Sequence, residues 1–189
     1  MKVRDSGMPD QAYWESLLDV TLILDKLEIN DQIDSLVEFG AGYGTFTSPS
    51  AERIQGNVIS FDIEDQMIEI ATTRTASHKS KVNIIKRDFI ADGTGLDDNS
   101  VDYVMLFNIL HHINPLEILN ETYRILKTGG KAGIIHWNYD PTTPRGPNLD
   151  IRQKPEQIKQ WAINAGFNLK ADKPIDLPPY HYGFLVYKR

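Results

Sequence analysis

The sequence predicts an α/β fold in which a largely parallel sheet is covered by helices on both faces. Short apolar runs of strand length alternate with amphipathic stretches of helical length, which is the pattern of parallel sheets with helical crossovers. The first apolar run stops at glycines 40, 42 and 44, and glycine turns commonly follow the first strand of such sheets. The length of 189 residues suits one domain, which we expect to cover residues 1–189.

The first half of the chain is predicted to begin with one amphipathic helix over residues 9–27. Asp10 is a plausible N-cap of this helix, and Trp14, Leu17 and Leu24 belong to its apolar face. Strands and helices alternate after it. The predicted strands are residues 35–39, 57–62 and 81–88, and the predicted helices are residues 47–54 and 64–76.

The second half of the chain continues this alternation until its last two strands. The helix predicted for residues 114–126 is expected to end at Gly129 and Gly130. Only a proline-rich link, residues 173–179, separates the last two strands, so we expect antiparallel pairing there. The predicted strands are residues 100–108, 131–138, 167–172 and 180–189, and the other predicted helix is residues 154–166.

Composition argues against several classes of function. There is no cysteine, which rules out disulfides and thiolate metal sites, and no His-x-x-His spacing indicates a metal. The formal net charge is −6 and basic residues are scattered, so no nucleic-acid partner is expected. No apolar run approaches the roughly 20 residues of a membrane span. The polar N-terminus does not resemble a secretory signal, so a cytoplasmic location is expected.

The segment Glu38-Phe-Gly40-Ala-Gly42-Tyr-Gly44 is the first candidate binding feature. Ligands of open α/β sheets bind beyond the C-terminal ends of the strands, and glycines let the backbone approach a ligand closely. Asp62 ends the second predicted strand, 20 residues after Gly42, where a carboxylate can accept hydrogen bonds from ribose hydroxyls. The alternative for Asp62 is a cap on the following helix.

Two kinds of adenine cofactor fit this pattern, a dinucleotide and an adenosyl sulfonium. The dinucleotide fingerprint is G-x-G-x-x-G, whereas this chain has Thr45 where the third glycine would stand. The carboxylate of Glu38 would repel a pyrophosphate but attract the amino group of a methionine moiety. Electrostatics therefore favours S-adenosylmethionine.

Five segments together resemble the motifs of class I S-adenosylmethionine-dependent methyltransferases, of the small-molecule type similar to methyltransferase domain 11. These segments are VEFGAGYGTF, SFDIED, KRDF, SVDYVMLFNILHHI and EILNETYRILKTGGKAGI. The resemblance implies a Rossmann-like, doubly wound sheet of seven strands in the order 3-2-1-4-5-7-6, with strand 7 antiparallel. It implies S-adenosyl-L-methionine as cofactor and leaves the acceptor and the methylated atom open.

The resemblance also implies roles for individual residues of the cofactor site. Asp62 would hold the ribose hydroxyls, and Ile63 would pack on the adenine. Asp88 would accept from the adenine amino group, with Phe89 beside the ring. The cofactor-binding residues predicted in this way are Glu38, Gly40, Ala41, Gly42, Tyr43, Asp62, Ile63, Asp88, Phe89 and Asn108.

Histidines near the ends of strands four and five are the candidates for acceptor chemistry. His111 and His112 follow Asn108 after strand four, and His136 lies near the end of strand five. Methyl transfer requires alignment of the acceptor and calls for a base only where the acceptor loses a proton. We take His111, His112 and Asn108 as the candidate catalytic residues. The alternatives are that the first two pack the loop and cap the next helix, and that His136 is an ordinary strand histidine.

Two segments are predicted to cover the site. They are an N-terminal helical segment, residues 1–30, and a proline-rich loop, residues 139–154. Arg145 and Arg152 in that loop could receive an anionic acceptor, although solvated surface charge is the favoured interpretation.

The sequence thus predicts an enzyme, acting as a monomer or homodimer on a small molecule. A non-catalytic cofactor sensor of the same fold and an NAD-dependent oxidoreductase are the alternatives.

Overall fold

One mixed sheet of eight strands forms the centre of the computed structural model, which describes residues 7–189. Residues 1–6 of the predicted N-terminal lid therefore lie outside the described residues. The strands are β1 (Ser35–Phe39), β2 (Asn57–Asp62), β3 (Val82–Lys86), β4 (Val101–Phe107), β5 (Leu126–Trp137), β6 (Asn168–Leu169), β7 (Ile175–Leu177) and β8 (His181–Tyr187).

The strand order is β3-β2-β1-β4-β5-β8-β6, with β7 paired to β8. Strands β1 to β5 are parallel, and β8 is antiparallel to its neighbours β5, β6 and β7. The predicted fold class and order are confirmed, with β8 in the place of the predicted seventh strand. The predicted count of seven strands is one too low. The strand that was not predicted is β7, which is only three residues long and lies within the proline-rich link. Proline has no amide N–H to donate to a neighbouring strand, so such a link does not indicate a strand.

Helices cover both faces of this sheet. One apolar cluster includes Phe89, Ile118 and Ile158 and packs under the helices that follow β3, β4 and β5. The other includes Ile23 and Ala51 and packs under the helices before and after β1. The helices are α1 (Gln11–Ser16), α2 (Val20–Lys26), α3 (Thr47–Arg53), α4 (Asp65–Arg74), α5 (Phe89–Asp92), α6 (Pro115–Ile125) and α7 (Pro155–Asn164), with a 3₁₀ turn at Ala76–His78.

The N-terminal helix predicted for residues 9–27 is two helices. Asp10 caps α1 as expected, since its side chain accepts from the amides of Ala12 and Tyr13. Asp19 caps α2 by accepting from Leu22 N at 3.0 Å. A side chain that caps a new helix competes with continuation of the previous one, which accounts for the break.

Helix α6 ends before the two glycines that were expected to stop it. It ends at Ile125, and Leu126 is already extended and begins β5. Leu126 is fully buried and pairs with Val101 of β4, so packing against the sheet ends the helix at Ile125, before Gly129 and Gly130 are reached. Within residues 7–189, no helix has the length and apolar character needed to cross a bilayer.

Candidate functional site

The glycine turn after β1 has a backbone that few other residues could adopt. Gly40, Gly42 and Gly44 have φ angles of +87°, +50° and +69°, all in the left-handed region. The amides of Gly40 and Ala41 both donate to the carbonyl of Phe61, at 2.9 and 3.0 Å. These two bonds join the turn to the end of β2.

Each of these glycines also borders a neighbouring segment closely. A Cβ on Gly44 would lie 3.2 Å from Ala71 Cα, so this glycine lets α4 approach the turn. Cβ atoms on Gly40 and Gly42 would lie 3.4 Å from Ile109 Cδ1 and 3.6 Å from Met8 Cε. The turn is therefore bordered by the N-terminal segment and by the loop after β4.

Glu38 is a buried carboxyl directly before the glycine turn. Only 2% of the residue is exposed, and its Oε2 accepts hydrogen bonds from the hydroxyls of Thr47 and Ser60, the latter at 2.7 Å. Burial raises the pKa of Glu38 to about 7, with a smaller contribution from the nearby charge of Asp62. A cation placed beside this carboxyl would favour its ionised form.

Asp62 joins the end of β2 to the glycine turn. Its Oδ2 accepts from Gly42 N at 2.9 Å, and its Oδ1 accepts from Ile63 N at 2.7 Å and Glu64 N at 3.0 Å. Burial raises the pKa of Asp62, and these amides partly oppose the shift. The carboxylate thus shapes the turn before α4 and also reaches the glycine turn, so its two predicted roles are compatible.

Ile63 and Asp88 line one cavity beyond the ends of β2 and β3. Its volume is about 790 Å³, and its other lining residues are Lys86, Arg87 and Asp92. Ile63 is 38% exposed, which leaves an apolar surface for a planar ring. Asp88 accepts from Ala91 N at 3.1 Å and so caps α5.

Phe89, in contrast, packs into the core. Its ring stacks on Phe39 with centroids 4.2 Å apart and only 7% of the residue exposed. Its predicted place beside the adenine ring stays a prediction.

Tyr43 connects the glycine turn to the N-terminal segment. The residue is buried, and its hydroxyl donates to the carbonyl of Pro9 at 2.6 Å. The neighbouring Ala41 is buried as well. We call residues 7–17 the N-terminal strap, because Met8 and Pro9 lie against the turn.

The strap is also fastened to the proline-rich loop. Arg145 of that loop donates to the carbonyl of Gly7. Trp14 packs edge-on against Trp137 at the end of β5, with ring centroids 6.0 Å apart. The two segments predicted to cover the site thus contact each other and the end of the sheet.

Arg152 is not the solvated surface charge that was expected. It is 7% exposed and donates to the main-chain carbonyls of Asn138, Asp140, Arg145 and Pro147 at 3.0 to 3.3 Å. A guanidinium can donate in several directions within one plane, which suits the curved path of this loop. Arg152 organises the loop from inside.

Asn108 begins the loop after β4 in a left-handed conformation, with a φ of +55°. Its amide N–H donates to Ile135 O at 3.0 Å, and its side-chain Nδ2 lies 3.2 Å from Nε2 of His181. The two histidines that follow it diverge. His111 faces His136, with ring centroids 6.1 Å apart, while His112 Nδ1 accepts from Asn114 N at 3.2 Å. His112 therefore contacts the backbone of Asn114, the residue directly before α6.

His136 and His181 are both completely buried at this end of the sheet. Burial lowers the pKa of each to about 3, so both imidazoles are neutral at physiological pH. Sequence reasoning missed His181, although the antiparallel last strand places it opposite Trp137 of β5. Within the described residues, no group of three or more histidine or acidic side chains is arranged to hold a metal ion.

Comparisons with known proteins agree with this geometry. Residues 37–134 match the family model described as a methyltransferase domain. An uncharacterized methyltransferase-like protein of Schizosaccharomyces pombe is 30% identical over 114 residues, which cover 60% of this chain and 42% of that protein. The chain spans about half the length of the curated relatives it matches.

Two solved structures share the fold of this chain. An S-adenosylmethionine-dependent methyltransferase from Aquifex aeolicus superposes with a TM-score of 0.80 at 20% identity, over 94% of this chain and 93% of that one. The [4+2]-cyclase SpnF superposes with a TM-score of 0.75 at 15% identity, over 97% and 85%. Since the family model covers more than half of the sequence, the chain belongs to the methyltransferase domain family.

Proposed function

We propose that this protein is an S-adenosylmethionine-dependent methyltransferase that acts on a small-molecule acceptor. The observation that carries the proposal is the hydrogen bond between Asp62 Oδ2 and Gly42 N, beside the buried carboxyl of Glu38. This bond joins Asp62 to the glycine turn, and Glu38 lies directly before the same turn in the sequence. Both carboxyls predicted from the sequence are therefore at one turn. Such a turn at the C-terminal ends of parallel strands is where this architecture binds nucleotide-like ligands.

The residues around the turn fit an adenosyl sulfonium. Asp62 would hold the ribose hydroxyls, since two carboxylate oxygens offer about four lone-pair sites and three amides occupy part of them. Glu38 would attract the amino group of the methionine portion. Ile63 and Asp88 would meet the adenine in the cavity that they line. Gly40 and Gly42 add no side chains of their own to the backbone that would face the ligand.

The cofactor, when bound, supplies a methyl group on a positively charged sulfur that is a good leaving group. The chain's own task is to align an acceptor and to exclude water. The N-terminal strap and the proline-rich loop, joined through Arg145, would exclude water from the bound cofactor. We expect Asn108 and His111, which follow β4, and His136, near the end of β5, to contact the acceptor.

One observation favours a second candidate, a binding protein or catalyst that keeps the fold without methylating anything. The likeness to the [4+2]-cyclase SpnF is nearly as strong as that to the methyltransferase from Aquifex aeolicus. Fold alone does not determine chemistry, so methyl transfer has to be measured. A monomeric or homodimeric state and the absence of a nucleic-acid partner stay predictions.

Calorimetry with the full chain tests the cofactor assignment. We expect S-adenosylhomocysteine to bind at one site per chain and NAD⁺ not to bind. Tight binding of NAD⁺ alone would make the protein an oxidoreductase candidate instead. Incubation with methyl-labelled S-adenosylmethionine and a pool of small metabolites then separates enzyme from sensor. A labelled product supports the enzyme, and binding without any labelled product supports the sensor.

A further inference from the structure

Two neighbouring imidazole rings at the C-terminal end of the sheet each have one buried nitrogen without a hydrogen-bond partner among residues 7–189. The atoms are Nδ1 of His111, in the loop after β4, and Nε2 of His136, near the end of β5. The rings meet edge to face, with centroids 6.1 Å apart and an interplanar angle of 74°. Buried polar atoms are nearly always hydrogen-bonded in native proteins, so two in adjacent rings call for one explanation.

The backbone sets the tautomer of His136. Burial lowers its pKa to about 3, so the ring is neutral at physiological pH and carries one proton. Its Nδ1 lies 3.5 Å from the carbonyl oxygen of Trp137, which can only accept, so that proton is on Nδ1. The ring of Tyr182 also packs on His136, but its hydroxyl donates to the carbonyl of Gln153 at 2.9 Å. Nε2 of His136 is therefore a hydrogen-bond acceptor that the hydroxyl of Tyr182 does not satisfy.

The acceptor on His136 in turn favours one tautomer of His111. Burial lowers the pKa of His111, with a smaller effect of the neighbouring His112, so this ring is also neutral at physiological pH. A lone pair on Nδ1 would place two enclosed acceptors in adjacent rings, whereas a proton there makes Nδ1 a donor toward His136 Nε2. The bond is direct after a small rotation of either ring, or it passes through one water. Nε2 of His111 then holds the lone pair.

This lone pair of His111 is on the accessible side of the ring. Of the two ring nitrogens only Nδ1 is enclosed, and the residue as a whole is half-buried, so Nε2 is the nitrogen that a ligand can reach. The loop that carries His111 borders the glycine turn, because Ile109 Cδ1 lies 3.4 Å from the position of a Cβ on Gly40. His136, in contrast, is completely buried, so its effect on a ligand passes through His111.

The charges around the two rings favour the neutral form of His111. The titratable and charged groups that act on the pair are His112, beside His111, and His181 and Arg152, which act on His136. Each of them is a histidine or a cation, so none of these groups would stabilise a proton on His111. A proton that Nε2 accepts therefore has no fixed counter-charge and is released readily to solvent.

We propose that His111 is the general base of the methyl-transfer reaction, and that His136 is a positioning residue that fixes its tautomer. The proton on the attacking atom of the acceptor passes to Nε2 of His111, and the electron pair of the broken bond stays on the attacking atom. The imidazolium then returns the proton to solvent through the same nitrogen. This inference rests on the proposed function and adds the class of acceptor, a group that attacks through an atom bearing a proton, such as a hydroxyl.

Nitrogen NMR of the ligand-free full chain with isotope-labelled histidine tests the positioning role without any cofactor. At a pH where both rings are neutral, we expect Nδ1 to be protonated and Nε2 unprotonated in His111 and in His136. His136→Phe removes the acceptor, so the ratio of the Nδ1–H to the Nε2–H form of His111 should fall about fivefold, the effect of one lost hydrogen bond. His136→Gln, whose carbonyl oxygen can accept, should restore most of that ratio.

Tyr182→Phe is the matched control, because it changes the other ring that packs on His136 and leaves Nε2 of His136 in place. It should leave the tautomer of His111 unchanged. If His136→Phe does not fold, the wild type decides, since a dominant Nε2–H form of His111 would overturn the inference. An unchanged ratio in folded His136→Phe would overturn it as well.

Methyl transfer to the labelled product then tests the base itself. His111→Gln should lower kcat about 100-fold, with little change in KM or in the affinity for S-adenosylhomocysteine. Full activity of His111→Gln, or methylation only of atoms that bore no proton, would overturn the assignment of the base. Failure of S-adenosylhomocysteine to bind would instead refute the proposed function and the base with it, and the tautomer of His111 would still decide the positioning role of His136.

Discussion

Asp62 Oδ2 accepts a 2.9 Å hydrogen bond from the backbone amide of Gly42, so the end of β2 fixes the middle of the glycine turn. The other oxygen of the same carboxylate accepts from Ile63 N and Glu64 N. One side chain therefore shapes both the glycine turn and the turn before α4.

Asp62→Ala should weaken S-adenosylhomocysteine binding by about 1–3 kcal/mol, the cost of leaving polar groups without partners. Asp62→Asn, which keeps one carbonyl oxygen, should lose less. Calorimetry measures both variants. Asp31→Ala is the matched control, because Asp31 is an exposed acid in the turn before β1, at the opposite end of that strand from the glycine turn. An unchanged affinity for Asp62→Ala would mean that Asp62 only shapes the backbone.

Stability should fall as the pH rises, because of Glu38. Its folded-state pKa is raised from 4.5 to about 7, so the native chain keeps a proton that the unfolded chain has already lost. The stabilisation is complete below pH 4.5 and is lost as the pH rises to about 7. A shift of this size corresponds to a few kcal/mol, on the order of 3.

Urea unfolding of Glu38→Gln between pH 4.5 and 8 measures this effect. The variant should show a flatter pH dependence than the wild type and a higher stability at pH 8. Glu69→Gln changes an exposed glutamate of α4 and should leave the wild-type slope intact. If the unfolding free energy of Glu38→Gln depended on pH as strongly as that of the wild type, another group would have to titrate in this range.

Binding of S-adenosylhomocysteine near pH 6.5 should release protons if its amino group meets Glu38. A nearby ammonium favours the ionised carboxyl, so the raised pKa of Glu38 should fall on binding. Calorimetry in buffers of different ionisation enthalpy counts these protons. Glu38→Gln should bind without that release, and an equal release in the variant would argue against this contact.

Much of the site could be predicted because it depends on short-range features of the sequence. The apolar runs place β1 and β2 at the predicted residues, and parallel strands bring Glu38 and Asp62 to the same edge. Positive φ angles at Gly40 and Gly42 follow from the need for a sharp turn. Predicting these features requires no information about contacts between segments that are far apart in the sequence.

The missed features depend on side-chain contacts that the local sequence pattern does not show. Arg152 looks like a surface residue in the sequence, but four carbonyls of its own loop surround its side chain. His181 joins Asn108 only through the pairing of β8 with β5. The stacking of Phe89 on Phe39 likewise joins two segments that are far apart in the sequence.

The strap should slow the release of a ligand from the glycine turn. Tyr43→Phe removes the 2.6 Å hydrogen bond to Pro9 O and keeps the ring, so it loosens the strap by about 1 kcal/mol. We expect S-adenosylhomocysteine to dissociate about fivefold faster, as measured by stopped-flow fluorescence. Tyr13→Phe, a change of the same chemistry at an exposed position of α1, should leave the rate unchanged. Equal rates for wild type and Tyr43→Phe would mean that the strap does not cover the ligand.

Gly44→Ala should destabilise the fold more than Gly129→Ala, although both glycines have left-handed φ angles, +69° and +83°. An alanine in that conformation costs about 1–2 kcal/mol at either position. At Gly129 the added Cβ meets no atom within 4 Å, whereas at Gly44 it lies 3.2 Å from Ala71 Cα, a backbone atom of α4. Helix α4 would have to shift away from the turn, so Gly44→Ala should also weaken S-adenosylhomocysteine binding. Urea unfolding and calorimetry on both variants test this, and equal losses of stability would show that α4 does not restrict the turn.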